Sequence, residues 1–176
     1  SADNFGMLPN GVFCIAEDGF HITDSRDFAA NPPRCQYATQ SGPLMVKQGQ
    51  LHPRFIPGGD SRYIRNGVGV SADGTRAVFA ISEDSVNFDT FGRMYRDHLG
   101  MPDALYFDGK VSRLFSPALG RSDLGLPMGP IVGLAVPAPW ERCLTRLGGG
   151  ASRRASSRRS WQWRAARRVG RFRAGS

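Results

Sequence analysis

Five short stretches of this sequence place polar side chains beside glycines, and these are the positions where chemistry is most readily assigned. The stretches are PNGVF (9–13), QSGPL (40–44), RNGVGV (65–70), FDGKVS (107–112) and GRSDLGLPMGP (120–130). Within them, Gln40, Arg65, Asn66, Asp108 and Ser112 carry groups that hydrogen-bond sugar hydroxyls and phosphate. Glycines let backbone amides approach an anion closely. The pattern is therefore compatible with a sugar- or phosphate-binding site, although each stretch could also be an ordinary turn.

The segment DALYFDGKVS, residues 103–112, allows two interpretations of Asp108. Asp-Gly is a preferred dipeptide of tight hairpin turns, and the chain has two further Asp-Gly turn candidates at 18–19 and 73–74. A carboxylate at the end of a buried strand can instead act as a general acid or base, because desolvation raises its pKa. The local sequence leaves both interpretations open.

Three hairpins and two helices are expected to position these residues. The hairpins are GVFCIA–EDG–FHI, PLMV–KQGQ–LHPRFI and GVGVS–ADG–TRAVFAIS. DSRDFAAN predicts a short helix capped by Asp24 or Ser25, and NFDTFGRMYRDHLG predicts a longer helix. In the longer helix, Asn87 is the expected cap and Gly100 the stop. The apolar stripe of this helix comprises Phe88, Phe91, Tyr95 and His98 or Leu99.

Two continuous apolar runs predict strands that are covered on both faces. They are Ala104–Phe107 and Pro130–Pro137. A helix between buried strands indicates an α+β or α/β fold, in which a mixed, hairpin-rich sheet is flanked by helices in a single domain. We expect the domain to span residues 1–139.

The positive charge of the chain belongs to its last 36 residues. The net charge is +8, but residues 141–176 contain eleven arginines and one acidic residue, so residues 1–140 are mildly acidic. We therefore expect residues 140–176 to be a disordered basic tail. The tail could bind nucleic acid or anionic lipid, could be a solvated extension, or could be an out-of-frame translation of a GC-rich gene. Basic charge alone does not indicate that the domain binds nucleic acid.

Several classes of chemistry lack their sequence signatures. Three cysteines without CxxC spacing favour buried free thiols over a disulfide framework, and His21, His52 and His98 match no metal-ligand spacing. The motifs of P-loop nucleotide hydrolases, α/β-hydrolases and zincins do not occur. No apolar run is long enough to cross a membrane. The sequence predicts neither a metal nor a cofactor, and it leaves the oligomeric state open.

Taken in order, the polar and glycine-containing stretches resemble the phosphodiester glycosidase family, especially a bacterial branch formerly described as a domain of unknown function. The resemblance runs from about Phe5 to Pro137. It rests on QSGPLMV, RNGVGV, VNFDTFGRMYRDHLG, DALYFDGKVS and MGPIVGLAVP. The resemblance implies a hydrolase that acts on a sugar 1-phosphodiester, with a mixed sheet flanked by helices.

The resemblance also implies roles for individual residues. Asp108 and Arg65 are the expected catalytic residues, Arg65 because it matches a family arginine that would hold the phosphate. The expected substrate-binding residues are Asn10, Gln40, Gly42, Asn66, Gly109, Lys110 and Ser112. Gln40, Gly42 and Pro43 match the Q-x-G-P motif of the family, and Lys110 stands where the family usually has a second glycine. Glycoside chemistry calls for a second carboxylate, for which Glu83, Asp84 and Asp103 are candidates.

Family members usually carry several dozen further residues upstream, including another Asn-Gly motif. We therefore expect this chain to be a C-terminal part of the domain, followed by a tail unlike the family. The family is commonly exported or luminal, so a periplasmic, exported or luminal location is expected. Two other functions remain open, a non-catalytic module that binds a glycan or phosphosugar, and nucleic-acid binding through the arginine-rich tail.

Overall fold

A computed structural model of the chain describes residues 7–108, 111–125 and 131–134. In these ranges the chain forms ten strands that pair into three sheets. The strands are β1 Gly11–Ala16, β2 Gly19–Asp24, β3 Cys35–Ser41, β4 Leu44–Lys47, β5 Gln50–Leu51, β6 Asn66–Val70, β7 Ala77–Ile81, β8 Asp103–Asp108, β9 Phe115–Ser116 and β10 Arg121–Ser122.

The three predicted hairpins are confirmed. β1 pairs with β2, β4 with β5 and β6 with β7, each in antiparallel register. The turn between β4 and β5 is Gln48-Gly49, with φ of 51° and 77°. Positive φ at both central residues is the geometry that matches the twist of a two-residue hairpin, and it explains the glycine.

The expectation of a mixed sheet is wrong for the described residues, because all of their strand pairs are antiparallel. The strand order is β5-β4-β8-β6-β7 in the large sheet and β2-β1-β3 in the small one, while β9 and β10 form a separate pair. Local hairpins supply two edges of the large sheet, and β8 then enters between them antiparallel to both neighbours. The broader α+β assignment fits this arrangement, with a modest helical contribution.

Strand β8 is the buried centre of the large sheet, as the apolar run predicts. Ala104, Leu105 and Tyr106 are 0–1% exposed. One face of the sheet packs against the small sheet through a cluster that includes Phe13, Val68 and Leu105. The opposite face packs against the longer helical segment.

Both predicted helices form with the predicted caps. Helix α1, Ser25–Ala30, is capped by Asp24, whose carboxylate accepts a hydrogen bond from the amide of Arg26. Helix α2, Phe88–Arg93, is capped by Asn87, whose side chain accepts from the amide of Thr90. Its continuation, Met94–His98, is a π-helical turn that the sequence does not predict. Gly100 follows with φ of 63°, in agreement with the predicted stop.

The apolar stripe of α2 is confirmed as core. Phe88, Phe91 and Tyr95 are buried. Leu99 packs against the same cluster, whereas His98 is exposed. Glycines on β6 allow this close packing, because a Cβ at Gly69 would lie 2.5 Å from Tyr95 Cδ1. The glycines of RNGVGV therefore serve helix–sheet contact at this position.

The prediction of free thiols is wrong for two of the three cysteines. Cys14 in β1 and Cys35 in β3 form a disulfide, with their Cα atoms 5.6 Å apart. The two residues are 21 positions apart in sequence and become neighbours only when β3 pairs with β1. An odd cysteine count without a spacing pattern could not reveal that pairing. Cys143 lies outside the described residues.

The strand predicted over Pro130–Pro137 is not found in the four of its residues that the structure describes. Residues 131–134 belong to a second compact unit and form no strand. All four are exposed, including Ile131 at 83% and Leu134 at 76%, so their apolar side chains are not those of a covered strand. The basic tail predicted over 140–176 lies outside the described residues. Neither of the α-helices found in the described ranges could span a bilayer.

Candidate active site at the end of the large sheet

The end of the large sheet where β6, β7 and β8 meet brings the central predicted residues together. Asn66, the first residue of β6, is paired with Asp108, the last residue of β8, and with Ile81 of β7. Within the described residues β8 pairs with β4 and β6 only. Asp108 therefore ends a central strand, and it is not the tip of a hairpin between neighbouring strands.

The pairing of β6 with β8 is irregular at this end. Asn66 faces Asp108 but Gly67 faces Tyr106, so Phe107 is an extra residue on β8. Such a bulge bends a strand and redirects its last residues, and bulges are common beside active sites. The irregularity coincides with the position of the predicted catalytic carboxylate.

Asn66 and Ser112 form a polar network beside this strand end. Asn66 Nδ2 donates to Ser112 Oγ at 2.8 Å, and Ser112 Oγ donates to the carbonyl of Ile64 at 3.3 Å. Both side chains are half-buried. The contact brings together two predicted site residues that are 46 positions apart in sequence, and their part in a site stays a prediction. Gly109 and Lys110, which connect Asp108 to this network, lie outside the described residues.

Ser41 joins the small sheet to the same place. Its hydroxyl donates to the carbonyl of Phe107 at 3.1 Å, and the side chain is buried. Sequence reasoning missed Ser41, although it stands between the predicted Gln40 and Gly42 at the end of an apparent strand. The bond brings the end of β3, which carries Gln40, to within one residue of Asp108.

The remaining predicted binding residues surround the end of the small sheet. Gln40 is exposed, and its Nε2 donates to Ser25 Oγ at 3.1 Å. Gly42 lies against Asn10 so closely that a Cβ at Gly42 would overlap Asn10 Oδ1, which explains the glycine. Ser25 also contacts Asn10, donating its amide to the Asn10 carbonyl at 2.9 Å.

Asn10 lines an open cavity of about 240 Å³ at this end of the small sheet. The cavity is lined by Leu8, Pro9, Asn10, Asp24, Ser25 and Arg26. Its walls offer an amide, a carboxylate, a hydroxyl and a guanidinium, which are all groups able to bind sugar hydroxyls. The cavity therefore extends the polar surface that begins at Gln40.

Arg65 does not reach this polar surface. Its side chain is 1% exposed, and its guanidinium lies 3.6 Å from the centre of the Phe88 ring. Nε donates to the carbonyl of Val86 at 2.8 Å, and Nη2 donates to the carbonyl of Ser61 at 2.7 Å. Burial lowers the pKa of this guanidinium, and nearby Tyr106 partly offsets that effect. Since Arg65 and Asn66 are adjacent in an extended chain, their side chains leave on opposite faces.

Two of the three candidates for a second carboxylate lie near the site. Glu83 and Asp84 follow β7 shortly after Ile81, which pairs with Asn66. Both are exposed, and Glu83 forms an ion pair with Arg121, with Oε1 and Nη1 3.1 Å apart. Asp103 begins β8 and accepts a hydrogen bond from the amide of Gln48, so it lies one full strand, roughly 16 Å, from Asp108. No cluster of three or more potential metal-ligating side chains occurs in the ranges that the structure describes.

The described residues include a large antiparallel sheet packed on a small one, and Ser41, Asn66 and Ser112 lie beside the end of the central strand β8. A model of the phosphodiester glycosidase family matches residues 1–116. The chain belongs to this family. The match ends before MGPIVGLAVP, so the resemblance expected up to Pro137 extends beyond the matched residues.

The similarity to a curated protein covers only part of each of the two chains. The chain is 37% identical over 112 residues to the uncharacterized protein YigE of Escherichia coli K12. The aligned residues make up 64% of this chain and 43% of that protein. The chain thus spans less than half the length of this curated relative.

Two solved structures were also compared with the chain. The first is the catalytic domain of zebrafish N-acetylglucosamine-1-phosphodiester α-N-acetylglucosaminidase, auto-inhibited by its pro-peptide. Its TM-score is 0.44 at 16% identity, over 61% of this chain and 42% of that one. The second is a hypothetical protein from Synechocystis, with a TM-score of 0.31 at 13% identity, over 57% and 28% of the two chains.

Proposed function

We propose that this chain is a glycosidase-like hydrolase that releases a sugar from a sugar 1-phosphodiester. The observation that carries the proposal is the pairing of Asn66 with Asp108 at the end of a central strand in a chain of the phosphodiester glycosidase family. In the reaction, the oxygen of water bonds to the anomeric carbon, and the bond from that carbon to the phosphate oxygen breaks. Its electron pair leaves with the phosphate monoester, and the water proton is removed by a base.

Asp108 is the proposed acid/base, or the group that positions the water. Gln40, Asn66 and Ser112 are proposed to orient the sugar, together with Asn10 and the backbone at Gly42 and Gly109. Such groups recognise sugar hydroxyls through paired donors and acceptors. Glu83 or Asp84 is the proposed second carboxylate, because both follow the strand that pairs with Asn66.

The phosphate requires a cation, since stabilising developing negative charge is usually the largest catalytic contribution. Lys110 is proposed for this role because it follows Asp108 by two residues in the sequence. Arg65, for which the family resemblance implies a phosphate contact, is enclosed by Val86, Ser61 and Phe88. We therefore propose that Arg65 acts by positioning the chain on either side of Asn66.

The test compares two carboxylates on one strand. The full chain, its Asp108→Asn variant and its Asp103→Asn variant are incubated with a panel of sugar 1-phosphodiesters, including an N-acetylglucosamine 1-phosphodiester, and the released sugar is measured. Asp108→Asn should abolish release while the free energy of unfolding changes by about 1 kcal/mol or less. Asp103→Asn, at the far end of β8, should retain release. Full activity of Asp108→Asn would remove Asp108 from the mechanism.

A second candidate function is a non-catalytic module that binds a glycan or phosphosugar. It is favoured by the burial of Arg65, because the predicted catalytic arginine does not reach the polar surface of the candidate site. Calorimetric titration with the same phosphodiesters distinguishes the two functions. Saturable binding without release of sugar supports the module, and turnover supports the hydrolase.

We also propose that the chain works in an oxidising compartment, as an exported or luminal protein. The disulfide between Cys14 and Cys35 supports this location, because such bonds persist outside reducing compartments. Thiol titration of the unfolded protein, isolated from its native source under alkylating conditions, tests the proposal. Modification of Cys14 and Cys35 in the freshly lysed material would contradict it.

A further inference from the structure

We propose that Arg121 is a positioning residue of the candidate site. Through Glu83, it fixes residues 111–125, here called the site-flanking segment, against the end of the large sheet, so that Ser112 stays beside Asn66. The inference rests on the proposed function for its catalytic meaning. The position of residues 111–125 does not depend on that function.

Arg121 joins two carboxylates from different parts of the chain. Its Nη1 lies 3.1 Å from Glu83 Oε1, and its Nε lies 2.8 Å from Asp123 Oδ1. The Arg121 side chain is 22% exposed, and that of Asp123 is 25% exposed. Donation by Arg121 lowers the pKa of Asp123, and Asp123 in turn raises the pKa of Arg121. Both groups are therefore charged across the neutral range.

The site-flanking segment is closed upon itself by hydrogen bonds. The amide of Leu114 donates to Asp123 Oδ2 at 2.8 Å, and the amide of Asp123 donates to the carbonyl of Leu114 at 3.1 Å. Between them, β9 pairs with β10, with Ser116 facing Arg121. The segment thus behaves as a small hairpin that begins two residues after Ser112.

Apolar burial contributes little to holding this hairpin. Phe115 is 75% exposed and Leu124 is 92% exposed. A segment with few buried apolar contacts has low local stability, so its polar contacts decide where it lies. The ion pair from Arg121 connects the hairpin to the residues after β7, and the bond from Asn66 to Ser112 connects its start to β6.

The ion pair between Glu83 and Arg121 joins a residue inside the range that the family model matches to a residue outside it. The match ends at residue 116, so Glu83 and Ser112 lie inside it while Arg121 and Asp123 lie beyond it. Arg121 therefore supports the matched site from outside the matched residues.

The experiment compares Arg121→Gln with Arg96→Gln in the full chain. Arg96 is the matched control, because it forms a similar ion pair with Asp97 on the π-helical turn. Two quantities are measured by NMR, the hydrogen-exchange rates of backbone amides in residues 111–125 and the signal of the Asn66 side-chain amide. KM and kcat for an N-acetylglucosamine 1-phosphodiester are measured in parallel.

Arg121→Gln should raise the exchange rates of the Leu114 and Asp123 amides by about two- to fivefold for each ion pair lost, the factor expected for partly exposed pairs. The Asn66 side-chain signal should shift, KM should rise by a similar factor, and kcat should change less. Arg96→Gln should leave all four quantities unchanged, and Arg121→Lys should recover part of the protection.

Unchanged exchange and an unchanged Asn66 signal in Arg121→Gln would overturn the inference. Faster exchange with unchanged KM would also overturn it, because the segment would then be fixed without positioning the site. If the unaltered chain shows no turnover, the proposed function fails by itself, and the exchange rates and the Asn66 signal alone decide whether Arg121 positions Ser112.

Discussion

Arg65 matches the sequence pattern of a catalytic residue, but its side chain contacts only groups that hold the fold together among the described residues. The sequence places an arginine immediately before the first residue of a strand that enters the candidate site. The structure places its guanidinium on an aromatic ring, with main-chain carbonyls as acceptors. Burial of a charged group is costly unless its donors are satisfied, and here carbonyls and aromatic faces satisfy them.

Arg65→Lys tests that supporting role. Lysine keeps the charge but cannot reach the carbonyls of Val86 and Ser61 with two donors at once, so the free energy of unfolding should fall by about 1–3 kcal/mol. Urea denaturation measures the loss, and Arg54→Lys, at an exposed position, is the control. An unchanged urea midpoint together with lost turnover would instead indicate that Arg65 binds the phosphate of the substrate.

Asp73, at the tip of the β6–β7 hairpin, makes the free energy of unfolding depend on pH at low pH. Ser71 Oγ and the amide and hydroxyl of Thr75 donate to its carboxylate, which lowers its pKa from 3.8 to about 2. Because the unfolded chain binds this proton more readily, the contribution is complete above about pH 4 and is lost as pH falls towards 2.

Unfolding midpoints of the unaltered chain and of Asp73→Asn, measured between pH 2 and pH 5, test this dependence. The difference between the two proteins should be largest at pH 5 and should shrink towards pH 2. A difference that is constant over this range would show that the carboxylate does not titrate as its contacts indicate.

At the scale of elements, the start of α2 depends on Asn87. Its Oδ1 accepts from the amide of Thr90 at 2.8 Å, and its Nδ2 donates to the carbonyl of Gly59 at 3.2 Å. Asn87→Ala removes both bonds and should lower the free energy of unfolding by about 1–2 kcal/mol. Asn87→Asp keeps the acceptor and is the matched comparison. Equal losses in both variants, measured by urea denaturation, would mean that the cap contributes nothing.

The elements that the sequence predicts well are those fixed by local chemistry. Asp24 and Asn87 identify helix starts because their side chains bond the first free amides, and Gly49 identifies a turn because the turn requires positive φ. The π-helical turn at Met94–His98 was not predicted, because no local signal in the sequence marks it. The antiparallel path of β8 depends on which hairpins flank it, and the sequence pattern of a buried strand does not specify direction.

The candidate site was predictable in the same uneven way. Asn66, Ser112 and Asp108 stand in recognisable stretches, so the sequence indicates them as candidates, and their roles stay predictions. Ser41 and Arg121 could not, because their roles arise from contacts with Phe107 and Glu83 that are distant in sequence. The disulfide was missed for the same reason, since Cys14 and Cys35 meet only across paired strands.

At the scale of the whole molecule, that disulfide should contribute measurably to stability. It closes a loop around β2 and α1, and a loop of this length restricts the unfolded chain by about 3 kcal/mol. The double variant Cys14→Ala/Cys35→Ala should lose roughly that amount in urea denaturation. Ala38→Ser, at an exposed position of β3, should leave the midpoint unchanged. A double variant as stable as the unaltered chain would show that strand pairing alone holds β3.

The strand order of the large sheet determines when the site can exist during synthesis. The β4–β5 and β6–β7 hairpins close over short distances and can form as soon as each is made, but β4 and β6 have no contact as neighbours until β8 lies between them. Of the five strands of the large sheet, β8 is made last and joins the two hairpins, and its final residue is Asp108. A nascent chain that ends before residue 103 would hold two unjoined hairpins. Completion of the sheet therefore pairs Asp108 with Asn66, and Ser112 joins them from the residues that are made afterwards.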